Sequence, residues 1–401
     1  MLELEVALQQ ILAAMPGPHA EAVTLAEAHD RVLAETIRST CDLPSFDNSA
    51  MDGYAVRAAD VATATGQHPV RLKLRGKVAA GEMFSGIIGA GECVRIFTGS
   101  PIPAGVDAVV MQEDTRPSEG NTEEILIYDS VRSGESIRHS GEDIAAGKQL
   151  ASNGVILSPG IMSLLAATGV NTVRVNRRPV VALIATGSEL REPGQPMSPG
   201  QIYESNRAAL TPLIRSSGAH PVVFPIVADT LADTQSSLDR AFASSDMVVT
   251  CGGASVGEMD FVKAAFEKLG GRLEFWKVAI RPGKPFVFGR LGEKFLFGLP
   301  GNPVSAFVTY LLLVRPALRQ WQGARDISLP WQSAQLGEPL INRGDRRHFM
   351  RVNLDEAGKV FSAGIQASHA LGSLAGATGI VDVPAGVTLE TGATVKVSRW
   401  T

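Results

Sequence analysis

Three cysteines in 401 residues are too few, and an odd number, for a disulfide framework. Cys41, Cys93 and Cys251 are widely spaced with no histidine at ligand spacing, which also argues against a zinc site. They read as reduced thiols, with Cys251 as a small buried hydrophobe. Also missing is any uncharged apolar run long enough to span a bilayer. The opening residues MLELEVALQQ lack the basic and apolar regions of a signal peptide, so the expected location is the cytoplasm. The net charge is −4 and no Lys/Arg block occurs, so nothing marks a nucleic-acid partner. An anionic ligand must then be met by a local basic cluster. Internal repeats and low-complexity tracts are absent as well.

What is present is an apolar fraction of 45% against 19% charged residues, which supports well-buried cores. The length calls for several domains. The most informative stretch is Met247 to Asp260, MVVTCGGASVGEMD. Its first residues form an apolar run suited to a strand buried on both faces. Gly252, Gly253, Ala254, Ser255 and Gly257 then leave backbone N–H groups uncovered, and a helical pattern begins at Phe261. A strand, a small-residue turn and a helix start favour a bound anion. Glu258 and Asp260 at the same turn would repel phosphate unless a cation bridges them, which suggests a phosphorylated ligand with Mg²⁺. A tight turn with an acidic cap and no ligand is the competing reading.

Along the chain, residues 2–15 and 24–37 carry helical spacing on either side of Pro16-Gly17-Pro18, so two helices are expected. Leu43 to Tyr54 is turn-rich and suits a shaped loop. Short β-branched runs from Val70 to about Tyr128 predict a small β-rich domain. A helix around Ile161, Leu164, Leu165 and Ala166 ends at Thr168-Gly169. From Arg178 strands and helices alternate: Val180–Ala185 as strand, Asn206–Ser217 as helix, Pro221–Val227 as strand, Leu231–Ala243 as helix. Such repeats imply a doubly wound parallel sheet whose ligand sits beyond the carboxyl ends of the strands. Glu189, Asp229 and Asp260 each follow such an end.

Lys277, Arg281 and Lys284 lie within one short segment stiffened by prolines and opened by Gly283. Leu299-Pro300-Gly301-Asn302-Pro303 leads into a helix, with Asn302 at its cap and Pro303 at its first turn. Acidic loops, fixed cations and amide-rich turns together are what phosphoryl or nucleotidyl chemistry requires. Beyond about Ile327 a terminal β-rich domain is expected. Its Arg343, Arg346, Arg347 and Arg351 around His348 are either a basic site or solvated charge on a strand edge.

In order, the stretches Phe46–Val56, Thr98-Gly99, Gly141–Ile144, Thr186–Leu190, Gly252–Asp260, Lys277–Pro285 and Leu299–Pro303 resemble the molybdopterin molybdenumtransferase family (MoeA, gephyrin E-domain) across essentially the whole chain. The resemblance implies an α/β multidomain protein: a discontinuous helical domain at 1–44 and 144–176, a β-rich insertion at 45–143, a molybdopterin-binding α/β domain at 177–325 and a C-terminal β-barrel-like domain at 326–401. It implies a homodimer whose cleft is shared between subunits. The implied reaction inserts molybdate into adenylylated molybdopterin and releases AMP, with Mg²⁺ or a similar divalent ion. Implied partners are the molybdopterin adenylyltransferase and molybdoenzymes or their chaperones.

Carried onto this sequence, the family's catalytic positions fall on Asp52, Thr98, Asp143, Glu189, Asp229, Asp260, Lys277 and Arg281, with Asp229 and Asp260 holding the cation. Substrate-binding positions fall on Gly252, Gly253, Ser255, Gly283, Lys284, Pro300, Gly301, Asn302, Ser305, Arg351 and Ser368. Two departures stand out: Arg281, where lysine is common, and Ser188, where aspartate is common. Arginine offers a planar fork and does not lose its proton. The alternatives are a molybdopterin adenylyltransferase, whose resemblance is confined to the α/β domain, and a dimeric scaffold of the gephyrin type.

Overall fold

The computed structural model describes residues 1–253 and 261–400. The chain divides into two compact units, one of Met1–Glu35, Asn153–Leu157 and Val173–Thr401, the other of Thr36–Ser152 and Ser158–Thr172.

The first unit is built on a six-stranded sheet ordered His220–Val223, Val180–Ala185, Met247–Cys251, Lys294–Leu299, Pro285–Leu291, Arg272–Lys277. The first four strands are parallel and the last two join antiparallel. Met247–Cys251 sits inside, buried at every position, as its unbroken apolar run predicts. Alternation along Val180–Ala185 divides the side chains between two cores. Val181 and Leu183 join Leu210, Ile214 and Val304 on one face. Ala182 and Ile184 join Leu238, Phe242 and Phe266 on the other. Helices Asn206–Ser216 and Leu231–Ser244 form close to their expected bounds, the second capped where Thr230 Oγ1 accepts from Asp233 N at 3.1 Å. The Pro221–Val227 expectation is shortened: the strand is His220–Val223, and Val227 returns only as a bridge to Thr186.

The helix after Pro300 is not uniform. Pro303–Thr309 is α-helical, Tyr310–Val314 widens to a π turn, and Arg315–Trp321 is α-helical again. The Tyr310 hydroxyl lies 2.7 Å from Ser217 Oγ and 2.9 Å from the Leu213 carbonyl oxygen. At the far end the Arg177 guanidinium stands 4.7 Å over the Trp321 ring.

A second sheet of this unit is ordered Ile280–Arg281, Arg347–Leu354, Gly379–Val383, Thr394–Arg399, Trp331–Gln335, with Val360–Ser362 also pairing Arg347–Leu354. Leu336 bridges back to Val360, which curls the sheet around Met350, Val352, Val381 and Val397. Arg347–Leu354 is thus an inner strand, which corrects the strand-edge reading of its arginines. Arg347 is held by Asp382 and Glu5, and Arg351 is fully buried with its N–H groups on Ser373 Oγ and the Ala367 carbonyl.

The N-terminal helix forms as expected over Leu4–Ala14, with Leu4, Ala7 and Ile11 buried. The expected helix over 24–37 does not. Thr24 and Glu27 close a capping box around a single 3₁₀ turn, Leu25–Glu27. Asp30 then turns the chain at φ 59, and Val32 and Leu33 bridge to Ile156 and Val175. Leu33 N donates to the Val155 carbonyl at 2.8 Å, so distant backbone partners displace the local helical ones.

The second unit contains the expected β-rich region as a six-stranded sheet ordered Ala108–Met111, Gly53–Val56, Glu92–Ile96, Val70–Val78, Asn121–Ile127, Thr115–Ser118. Its helix Pro159–Ala167 starts under the Ser158 side chain and stops at Thr168, with Gly169 at φ 81.

Candidate functional site

Strand register in the first unit sets the site. Ala185, Cys251 and Leu299 are aligned across neighbouring parallel strands. The loops that leave them therefore start level with one another. Thr186 N donates to the Cys251 carbonyl at 3.0 Å and Gly252 N to the Leu299 carbonyl at 3.2 Å, the last rungs before the chains part. Beyond them opens a cleft of about 700 Å³, lined by Glu189, Asp229, Gly252, Gly253, Gly301 and Asn302 among others.

Gly252 is held at φ 89, and a Cβ there would stand 2.5 Å from the Thr186 carbonyl oxygen. Only glycine fits. The loop from Leu190 is steadied by a short parallel pairing, Leu190 with Ile202 and Arg191 with Tyr203. Ser188 and Asp229 exchange hydrogen bonds: Ser188 N donates to Asp229 Oδ2 at 2.9 Å, and Asp229 N to Ser188 Oγ at 3.0 Å. Asn206 Nδ2 donates to the Gly301 carbonyl at 2.8 Å, tying the helix start to the Pro300 turn.

Among the described residues the cleft lining holds carboxylates and no lysine or arginine. Of these carboxylates, Glu204 is neutralised by Arg207 at 2.9 Å. Among the described residues no arginine or lysine bridge of that kind is made to Glu189 or Asp229. Backbone amides at the glycine turn and at the start of the Pro303 helix supply the positive ends of dipoles.

Glu189, Asp229, Gly252, Gly253, Pro300, Gly301 and Asn302 therefore meet in one place. Ser255 and Asp260 lie outside the described residues. The cationic segment stands off the lining. Lys277 pairs with Pro285 across the sheet, Arg281 pairs with His348, and Lys284 is exposed. Gly283 has φ 113, with Thr309 Cγ2 where a Cβ would go. Ser305 is buried in the helix, its carbonyl accepting from Thr309 Oγ1 at 2.7 Å. The Ser368 carbonyl accepts from Val304 N at 3.1 Å, and His369 and Leu371 beside it reach the cleft.

Asp52, Thr98 and Asp143 belong to the second unit. Asp52 Oδ1 accepts from both Thr98 N and Thr98 Oγ1 at 2.8 Å, which holds its carboxyl below the usual range. Asn48 and Ser49 pair with Arg138 and Ile137 and so bring this loop beside the turn that carries Asp143. Asp143 lines a separate pocket with Leu43, Pro44, Asn48, Arg138 and Glu142.

Sequence reasoning missed Tyr203, Asn206, His369 and Leu371 as lining residues. Asn206 carried a signal, since it follows Ser205 at a helix start beyond a strand. His369 carried a signal only through its neighbour Ser368, and it lies in a turn more than a hundred residues downstream of Glu189.

Comparison with known proteins covers nearly the whole chain. Residues 2–169 match the MoeA N-terminal region (domain I and II), 182–320 the probable molybdopterin binding domain, and 333–400 the MoeA C-terminal region (domain IV). A protein of Mycobacterium tuberculosis named molybdopterin molybdenumtransferase 2 is 40% identical over 384 residues, 94% of each chain. The molybdopterin molybdenumtransferase of Haemophilus influenzae is 39% identical over 92% of this chain and 91% of its own. Among solved structures, the molybdopterin biosynthesis MoeA protein of Pyrococcus horikoshii superposes with a TM-score of 0.80 at 34% identity, covering 100% of this chain and 99% of the other.

Proposed function

The chain belongs to the molybdopterin molybdenumtransferase (MoeA) family, and we propose from that premise that it inserts molybdate into adenylylated molybdopterin with release of AMP. The observation that carries the reading is the character of the cleft: amide-rich turns beside carboxylates, with no arginine or lysine in the described lining. Its volume of about 700 Å³ suits a small-molecule substrate. Such a wall repels a bare pyrophosphate, so the donor set fits a hard divalent cation such as Mg²⁺.

Asp229 would hold that cation, and Asp260 is its expected companion. Mg²⁺ would supply charge neutralisation at the pyrophosphate. The protein's own groups do the rest. Gly252 and Gly253 let the backbone approach the phosphates, and Ser188 N fixes one Asp229 oxygen so that the other is left for a ligand. Water cleaves the phosphoanhydride to give AMP and the molybdopterin phosphate, and the two dithiolene thiols displace one molybdate oxygen, which leaves as water with their two protons. No nucleophilic serine or cysteine is called for; burial pushes the Cys251 thiol far above its ordinary value.

The reading extends to a homodimer in which Asp52, Thr98 and Asp143 reach the cleft of the neighbouring copy. It also extends to a cytoplasmic setting, beside the adenylyltransferase that makes the substrate and the molybdoenzymes that receive the product. Among the described residues no helix is long and apolar enough to cross a membrane.

The test is AMP release from adenylylated molybdopterin by the purified chain, with and without molybdate and Mg²⁺. Release that needs both supports the transferase. Binding without turnover would point to a carrier or scaffold instead. Mixing Asp52→Ala and Asp229→Ala chains restores turnover only if a cleft draws on two copies.

A further inference from the structure

Arg207 opens the second position of the helix Asn206–Ser216 and is almost wholly buried. Its guanidinium touches three separate segments. Nε donates to Glu204 Oε2 at 2.9 Å. Nη2 donates to both oxygens of Glu192, at 2.8 and 2.7 Å. Nη1 donates to the Phe224 carbonyl at 2.7 Å. Its own backbone N–H donates to Glu204 Oε1 at 3.0 Å. Glu192 follows the loop of Glu189, Glu204 follows Tyr203, and Phe224 leads towards Asp229.

Each of those segments lines the cleft or runs directly into its lining. Their mutual ladder is short. Ile202 N donates to the Glu189 carbonyl at 2.9 Å and Glu204 N to the Arg191 carbonyl at 2.9 Å, the pairing being only two residues long on each side. A pairing of that length does not hold itself in water. A buried fork bound to two carboxylates and a carbonyl does hold it, because charge-assisted bonds of this geometry fix direction as well as distance. The Glu204 side chain is 3% exposed, so its charge would be left uncompensated without the arginine.

We infer that Arg207 is a positioning residue: it sets the spacing of the Glu189 loop, the Tyr203–Asn206 wall and the approach to Asp229, without touching substrate itself. The inference rests on the cleft being the substrate site. It assigns a function to a residue that composition and motif leave unmarked, in a place where lysine cannot substitute, since one ammonium cannot reach three planar acceptors.

The experiment compares Arg207→Lys, Arg207→Ala and Glu192→Gln with the unsubstituted chain. Two readouts are taken: amide exchange over 202–206, and AMP release per folded molecule. The expected result is faster exchange at Ile202 and Glu204 with unchanged exchange in Val180–Ala185. A loss of about 100-fold in kcat/KM accompanies it, the scale of an ångström-sized misplacement. Guanidinium ion, well below its denaturing range, restores much of the Arg207→Ala loss and none of the Arg207→Lys loss, because only the first leaves a vacancy of the right shape.

Arg207→Lys and Arg207→Ala chains that merely unfold at lower temperature, with exchange and kcat/KM at their original values, overturn the inference. Absence of guanidinium rescue overturns it too. If Arg207→Ala fails to fold, Glu192→Gln carries the test, because Glu192 is half exposed and its loss leaves the buried Glu204 pair intact. Slower turnover with local exchange supports positioning, and neither change refutes it. Amide exchange needs no turnover, so a chain inactive on this substrate still leaves the clamp tested.

Discussion

Ser188 and Asp229 hold each other through reciprocal backbone-to-side-chain bonds across the ends of two different loops, at 2.9 and 3.0 Å. The resemblance implies aspartate at the serine's position, and the pairing gives a serine there a physical sense. A hydroxyl can accept from Asp229 N without adding a second negative charge beside it. Asp229→Asn preserves the acceptor for Ser188 N but removes the charge. The expected outcome is a chain that folds normally and needs at least about tenfold more Mg²⁺ for half-maximal AMP release, equivalent to about 1.4 kcal/mol. A Mg²⁺ titration reads this directly, and an unshifted midpoint would remove Asp229 from cation binding.

Gly252 and Gly301 make a matched pair of probes. An added Cβ at Gly252 meets the Thr186 carbonyl at 2.5 Å in a left-handed conformation, whereas at Gly301 its nearest neighbour is 3.6 Å away. Gly252→Ala is expected to cost about 1–3 kcal/mol in denaturant unfolding. Gly301→Ala should leave stability nearly untouched while it narrows the cleft, so its effect belongs in KM.

His348 makes stability depend on pH. Burial, reinforced by Arg281, Arg351 and Arg346, pushes its imidazole down to about 4. The unfolded chain has the ordinary value near 6.5 and so binds more protons than the folded chain between these two values. The contribution is therefore fully present above about pH 6.5 and is lost as pH falls through about 4, to the extent of roughly 3 kcal/mol. Denaturant midpoints measured at both ends of that window should converge in His348→Gln relative to the unsubstituted chain. Parallel pH curves would disprove the assignment.

Phe297 lies at the centre of a ladder of phenylalanines, with ring centroids 5.3 Å from Phe288 and 6.4 Å from Phe286. Its side chain is fully buried beneath the cleft strands. Phe297→Ala is expected to cost about 3–5 kcal/mol, measured by urea unfolding. A loss under about 1 kcal/mol would mean that the core repacks.

Legibility from sequence followed the range of the interactions concerned. The run Met247–Cys251 declared itself because a strand buried on both faces needs apolar residues throughout. Glu189 and Asp229 could be placed together because parallel strands send their loops to one edge. Residues 24–37 misled because Val32 and Leu33 have helical spacing, yet their backbone partners lie more than a hundred residues away. The sequence left Arg351 open between a basic site and solvated charge for a similar reason. The carbonyls that absorb its N–H groups belong to a loop whose path the local pattern does not encode. Arg207 could be read only in part: Glu204 lies three residues before it, but Glu192 and the Phe224 carbonyl come from segments that only the tertiary fold assembles.

The widened turn at Tyr310–Val314 also separates the length of this helix from its phase. A π turn takes up one residue more than a regular α turn, so the helix can carry an extra residue without rotating its ends. Here the upstream end forms the cleft wall at Pro303 and the downstream end seats Trp321 beneath Arg177. One extra residue would swing either end by about 100° in a regular α-helix. The π turn lets the helix hold one more residue between two fixed points. Here length and phase are separated, so a chain with one residue deleted within this turn is expected to keep the same cleft wall and the same stacked tryptophan.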